Sequence, residues 1–312
     1  MKKIKIIFAV SFFTVVMLSA SLVAYTFYQM KQPLNISSTQ LLTIKDGTSF
    51  SRFSEQLIKN GWLNTRFWMR NYVRLKPEYA NIKAGTYQIN KDVSVEVLLA
   101  QLVAGKEHQF TVTFIEGTTF REWLVQLSET DNLVHTLQQT SVADIASKLN
   151  IEHVNPEGLF YPETYAFTAG TTDIELLKRA QQQMSVELNL AWQNRAEPLP
   201  YKNKYQALIM ASIIEKESGK NAEHGIISSV FFNRLNKKMR LQTDPTVIYG
   251  LGERYQGDIK YRHLREKTPY NTYRINGLPP TPIAMPGKSA IHAALNPLTT
   301  DYLYFVSNGK GQ

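Results

Sequence analysis

The chain has 312 residues, 43% of them hydrophobic, with a formal charge of +9 and no cysteine. That length and apolar content exclude global disorder and allow a membrane segment plus two modest domains. The missing cysteines exclude disulfides and thiolate chemistry. The positive balance suits an anionic polymer or a membrane surface equally well. No Arg/Lys-aromatic stripe and no zinc-finger spacing points to nucleic acid.

Lys2, Lys3 and Lys5 precede an uncharged apolar run, Ile6 to Tyr28, of about 23 residues. Such a run crosses the hydrocarbon core as one helix, and the lysines place a tail of residues 1–5 in the cytoplasm. The competing reading is a cleaved signal peptide, for which Ser19-Ala20-Ser21 offers small residues; the length favours an uncleaved anchor. On either reading the chain from about residue 31 lies outside the cytoplasm.

Residues 29–39 read as a linker. Leu41 to Ile44 reads as a strand, Asp46-Gly47-Thr48 as a turn, and Ser49 as the N-cap of a helix carrying Phe50, Phe53, Leu57 and Ile58. A second helix runs from about Thr65 to Leu75 and stops before Pro77. Ala84 to Ile89 is a returning strand, and Val93 to Val103 a helix stopped by Gly105. Residues 40–105 thus form a small α/β module. Val112 to Phe120 echoes Leu42 to Phe50, with Leu127 matching Leu57. A duplicated unit or a common local solution would each account for this, and the local solution is preferred.

Residues 106–312 form a second, mixed α+β domain. Asn155 to Tyr165 reads as a surface loop, and Asp173 as the cap of a helix reaching Asn194. Helices follow at Tyr205–Glu217 and Ala222–Leu235. Met239-Arg240-Leu241 is strand-like. The rest is loop-rich, ending in a short helix at Ser289–Leu295 and a strand at Tyr302–Val306.

The chemistry concentrates at Glu215-Lys216-Glu217. Tyr205, Leu208, Ile209, Met210, Ile213 and Ile214 define a broad apolar helical face. Glu217 falls about 60° from its centre and Glu215 about 140° away, on the solvated side. Glu217 is therefore the better candidate for a partly buried carboxyl that keeps its proton and acts as a general acid; two exposed carboxylates at a helix end is the alternative. Gln242, Thr243, Asp244, Tyr249, Asn271 and Tyr273 follow in loops and supply the planar polar groups and aromatic faces that sugars need. Asp244 is open to two readings, a second catalytic carboxylate or an Asp-Pro turn starter, and the turn is preferred. The six histidines show no metal spacing, so neither metal nor cofactor is expected.

Ala211 to Glu217, Ser229 to Leu235, Leu241 to Gly250 with Gly252-Glu253-Arg254-Tyr255, Tyr270 to Pro280 and Pro297 to Val306 resemble the motifs of the YceG-like family, the endolytic murein transglycosylases. The resemblance runs from the anchor to residue 312. It implies a single-pass inner-membrane protein facing the periplasm, with residues 40–105 as a LysM-like module that binds N-acetylglucosamine chains. It aligns the catalytic glutamate with Glu217. The implied reaction cleaves the β-1,4 bond between N-acetylmuramic acid and N-acetylglucosamine in nascent peptidoglycan strands, leaving 1,6-anhydro ends and ending strand elongation. It also implies association with penicillin-binding proteins. Family members usually continue past Gly311 with a further segment, so the catalytic domain is expected to be C-terminally short. The alternative is a non-catalytic peptidoglycan-binding membrane protein.

Overall fold

A computed structural model describes residues 2–306. The chain is α+β and divides at Phe110/Thr111 into two compact units. The first begins with helix α1 (Lys2–Met30), long and apolar enough to cross a membrane. Its last turns join the unit's core, where Thr26 and Met30 are buried. The segment expected as a linker packs as well, with Leu34 and Ile36 buried.

Strand β1 (Gln40–Ile44), helices α2 (Phe50–Lys59) and α3 (Phe67–Leu75), strand β2 (Gly85–Ile89) and helix α4 (Val95–Ala104) follow close to expectation. β1 and β2 pair antiparallel with Leu42 opposite Tyr87. Alternation sends Leu42 and Ile44 onto Phe53, Leu57, Leu98 and Leu99, all buried. Ser49 caps α2, and Gly105, at φ 70°, ends α4 in the left-handed conformation that a Cβ would disfavour.

Strand β3 (Phe110–Thr113) crosses the division. Helices α5 (Phe120–Ser128) and α6 (Val142–Lys148), strand β4 (Thr164–Phe167) and helix α7 (Asp173–Gln193) then repeat the plan of the first unit. The likeness goes well beyond the Gly turn. Ser49 and Thr119 cap the first helices, and Ser94 and Thr172 cap the last. Gln56 donates to the Thr43 carbonyl at 3.3 Å and Gln126 to the Thr113 carbonyl at 2.8 Å. The Thr43–Thr86 hydroxyls meet at 3.0 Å and the Thr113–Thr164 hydroxyls at 2.8 Å. Lys83 N–H bonds Leu102 O at 3.2 Å, and Tyr161 N–H bonds Ala180 O at 3.0 Å. A common turn explains the first of these likenesses and none of the others. The structure therefore favours a duplicated unit over the local solution.

Two sequence expectations change here. The cap of α7 is Thr172, within a capping box with Glu175. Asp173 is instead buried and holds the segment between α5 and α6, accepting Thr136 N–H at 2.9 Å and Leu137 N–H at 3.0 Å. Residues 155–165 are no surface loop, since Pro156, Glu157, Gly158 and Phe160 are buried, and the segment runs into β4.

The remaining helices are α8 (Lys204–Glu217), α9 (Asn221–Asn236), α10 (Asp244–Leu251), α11 (Tyr261–Arg265) and α12 (Lys288–Leu295). α8 is the central element, packed against α7, α9, α10 and α12. Tyr302 to Val306 forms no strand. Side chains hold it instead: Asn233 donates to Thr300 O at 2.7 Å and Tyr302 O at 2.9 Å, and Arg234 to Leu303 O at 2.6 Å.

Asp173→Ala should destabilise the second unit by about 2–4 kcal/mol, because it strands buried N–H groups. Urea unfolding of the purified chain, followed by far-UV circular dichroism, measures this. A loss below about 0.5 kcal/mol, the level of an ordinary surface change, would contradict it.

Candidate active site

Every residue of α8 from Ala207 to Glu215 is buried. Asn203 caps the helix through Gln206 N–H at 3.0 Å. The chain reaches solvent only at Lys216-Glu217-Ser218, so Glu217 sits half-buried where the dry interior ends. Burial raises the pKa of its carboxyl, and the nearby Asp244 charge adds to the rise. A hydrogen bond from Thr243 and the Arg234 charge oppose it.

Thr243 donates its hydroxyl to Glu217 Oε1. Three buried threonines fix that hydroxyl. Thr243 N–H donates to Thr272 Oγ1 at 3.0 Å, Thr246 Oγ1 donates to Thr243 O at 2.7 Å, and the Thr246 and Thr272 hydroxyls meet at 2.8 Å. Asp244 is exposed beside this cluster and accepts the Tyr273 hydroxyl at 2.7 Å. Burial first, then the Asp244 and Glu217 carboxylates, raise the Tyr273 pKa. Gln242 is exposed at φ 51°, a left-handed conformation rare for a residue with a Cβ. Its N–H bonds Thr272 O at 3.3 Å.

Thr243, Asp244 and Tyr273 therefore meet at Glu217, with Gln242 next to Thr243 in the chain. Two expected sugar contacts do not fit that role. Asn271 is 1% exposed, and its amide donates to the carbonyls of His263, Leu264 and Glu266 while its oxygen accepts Tyr273 N–H. It has no amide donor left for a ligand and instead shapes the turn that presents Tyr273. Tyr249 points to Asn155 and Glu157, accepting from the first at 3.0 Å and donating to the second at 3.1 Å. The local structure also differs from expectation. Met239 to Leu241 is not a strand, because buried Arg234 takes the Leu241 carbonyl at 2.6 Å. Asp244 to Leu251 is not a loop but α10, with Asp244 in its first turn followed by Pro245.

Glu215 is 9% exposed rather than solvated. It accepts Gly287 N–H at the start of α12 at 2.9 Å, and burial raises its pKa. The helical wheel misplaces it because α8 is covered on nearly every side, so no solvated face exists at that height.

Glu157 carries no sequence signal, since Asn-Pro-Glu-Gly reads as an exposed turn. It is 3% exposed, accepts Phe120 N–H at 2.9 Å and the Tyr249 hydroxyl, and burial raises its pKa to about 7. It ties the first turn of α5 to α10.

Comparison with known proteins supplies the family. The YceG-like family model matches residues 42–312. An endolytic murein transglycosylase of Bacillus subtilis is 32% identical over 297 residues, covering 88% of this chain and 80% of that protein. One from Streptococcus pneumoniae R6 is 27% identical over 88% of this chain and 56% of its own length, so the chain spans little over half of that relative. A crystallised putative YceG-like protein from Listeria monocytogenes superposes with a TM-score of 0.52 at 29% identity, covering 88% of this chain and 95% of that one. These matches define the class as the lytic transglycosylases, enzymes of peptidoglycan. The chain belongs to the YceG-like family.

The raised pKa of Glu157 fixes a sign for stability. The folded chain holds a proton that the unfolded chain releases between the ordinary carboxyl value and about 7. Stability should fall as pH rises through that window, by about 3 kcal/mol at most. Glu157→Gln should flatten the fall. Urea midpoints at several pH values check this, and an unchanged pH slope in the variant would refute it.

Proposed function

We propose that this chain cleaves the β-1,4 bond between N-acetylmuramic acid and N-acetylglucosamine within peptidoglycan strands, leaving 1,6-anhydro ends. The observation that carries the proposal is the setting of Glu217, a carboxyl whose pKa burial raises yet which is open to solvent on one side. Thr243 occupies Oε1, which leaves Oε2 to hold the proton. That proton goes to the glycosidic oxygen as the C1–O bond breaks. Positive charge develops at C1, and the carbonyl oxygen of the substrate's own N-acetyl group captures it. Ionised Glu217, now stabilised by the Thr243 hydroxyl, takes the proton from the 6-hydroxyl, and O6 closes on C1 as the acetamido oxygen leaves C1 and the N-acetyl group is restored. No water is consumed, and one carboxyl serves as acid and then base.

Asp244 in this reading does not activate water. Its carboxylate binds Tyr273 and lies beside Glu217, where its negative charge helps to keep the acid protonated. Gln242, Asp244 and Tyr273 are read as the sugar contacts, and Asn271 shapes the turn that carries Tyr273. The β-α-α-β order of β1, α2, α3 and β2 supports a LysM-like module that binds N-acetylglucosamine. The lysines in the first turn of α1, ahead of its apolar run, support a cytoplasmic N-terminus and a periplasmic active site. An enzyme that ends nascent strands acts where strands are polymerised, which is the basis for association with penicillin-binding proteins.

Mass spectrometry of muropeptides released from purified peptidoglycan tests the reaction. Anhydro-muramic products should appear and should fall by about 10²–10⁴-fold in Glu217→Gln. Reducing ends in place of anhydro ends would refute the proposal. The pH profile tests the tuning. Activity that needs protonated Glu217 falls as pH rises through its raised pKa. Thr243→Val removes a bond that favours the ionised form, so this limb should move to higher pH. Asp244→Asn removes a charge that disfavours it, so the limb should move to lower pH and anhydro products should persist. Reversed shifts would overturn the assignment of these two neighbours.

A further inference from the structure

The first unit carries a feature that glycan cleavage does not use. The last charge before the apolar run of α1 is Lys5. From Ile6, a helix reaches about 30 Å, the thickness of the hydrocarbon layer, at Tyr25. Tyr25 and Tyr28 are 48% and 58% exposed there, as expected of aromatic residues at the headgroup level. α3 is fixed to this same stretch. Trp68 packs edge-on to Tyr25 at 4.9 Å, and Tyr72 edge-on to Phe27 at 5.4 Å. Because Met30, Met69 and Tyr72 are buried, the two helices share one core and α3 cannot drift from the membrane exit.

The other side of α3 is unusual for a surface helix. Phe67 and Leu75 are 51% and 48% exposed. Arg66, Arg70 and Arg74 recur every fourth residue and so form one stripe. Among the described residues none of the three has an ion-pair partner. Between Glu55 and Glu78 the chain carries Lys59, Arg66, Arg70, Arg74 and Lys76 and no acidic residue. A solvated helix would mix signs and hide its aromatic residues. A helix lying in a bilayer interface presents apolar groups to the acyl boundary and arginines to phosphates, which the guanidinium fork binds in pairs.

We propose that the exposed face of α3 is a lipid-contact surface: Phe67, Trp68 and Leu75 enter the interface of the bilayer that α1 spans, and Arg66, Arg70 and Arg74 bind the phosphates of anionic phospholipids. The module is then held flat at the point where the chain leaves the membrane. The inference rests on α1 being a retained anchor.

The chain lacks cysteine, so one introduced cysteine gives a unique label. Full-length protein is placed in nanodiscs of phosphatidylcholine with and without phosphatidylglycerol. Nitroxide labels at Leu75→Cys and, separately, Phe13→Cys are read by collision with lipid-soluble oxygen against a water-soluble nickel chelate. Phe13→Cys should report lipid in both discs. Leu75→Cys should report lipid contact in the anionic discs. Arg70→Gln/Arg74→Gln should reduce its docked-to-free ratio by about 25-fold, fivefold for each arginine near a charged surface. These two arginines are exposed, so the variant should keep its circular dichroism. A water-exposed label at residue 75 in both discs, with residue 13 in lipid, would overturn docking alone. Lipid contact that ignores both phosphatidylglycerol and the arginines would overturn phosphate binding. A water-exposed label at residue 13 would overturn the anchor itself.

Discussion

The second unit depends on keeping one helix dry. From Ala207 to Glu215, α8 offers no residue to solvent, and the polar groups within that stretch are bonded internally. Ser212 donates to Ile209 O at 2.7 Å and accepts Ile283 N–H at 3.0 Å, and Glu215 takes Gly287 N–H. Burying unpaired polar groups costs several kcal/mol each, so these partners are a condition of the helix being there. Glu217 gains its chemistry from standing two residues past the end of that stretch. Deeper, it could not reach a substrate; further out, water would return its pKa to the ordinary carboxyl value.

The second requirement is a hydroxyl aimed at Glu217 that nothing else claims. Thr243 occupies the N-cap of α10, where a threonine would ordinarily accept an N–H from the helix's first turn. It makes no such bond here. Pro245 follows in that first turn and has no N–H, so one of the donors that a cap would satisfy is missing. The Thr243 side chain is thereby available to Glu217, while its backbone is locked by Thr246 and Thr272. The Thr-Asp-Pro-Thr run is thus a positioning device for one hydroxyl, and each residue type in it has a mechanical reason.

Much of this could be read in the sequence, and the failures have common causes. Local signals held where a side chain or backbone turn acts on its own neighbourhood, as with Ser49 as a cap and Gly105 as a stop. They failed wherever a distant segment decides the environment. Glu215 looks solvated until α12 brings Gly287 to it, and Glu157 looks like part of a turn until Phe120 and Tyr249 enclose it. Tyr302 to Val306 has strand composition, but Asn233 and Arg234 take carbonyls that a ladder would need. Asn271 is a reasonable sugar ligand by type and a turn-maker by position. No single-sequence pattern separates those two uses, because both require an amide.

The repeated plan places a βα unit in the second unit ahead of α8 and Glu217. Both copies keep the same caps, threonine pair and glutamine bond, so both meet the same folding constraints. They diverge in the last helix. α4 has 10 residues and stops at a left-handed glycine, whereas α7 has 21 and continues. The extension carries Met184 and Leu188, which enter the same core as Leu208, Ile209 and Ile213 of α8. Ala180 stands where the first copy has Leu102, and its carbonyl accepts Tyr161 N–H at 3.0 Å. One copy thus remains a module that packs on the last turns of α1, and the other supplies a wall that keeps α8 dry.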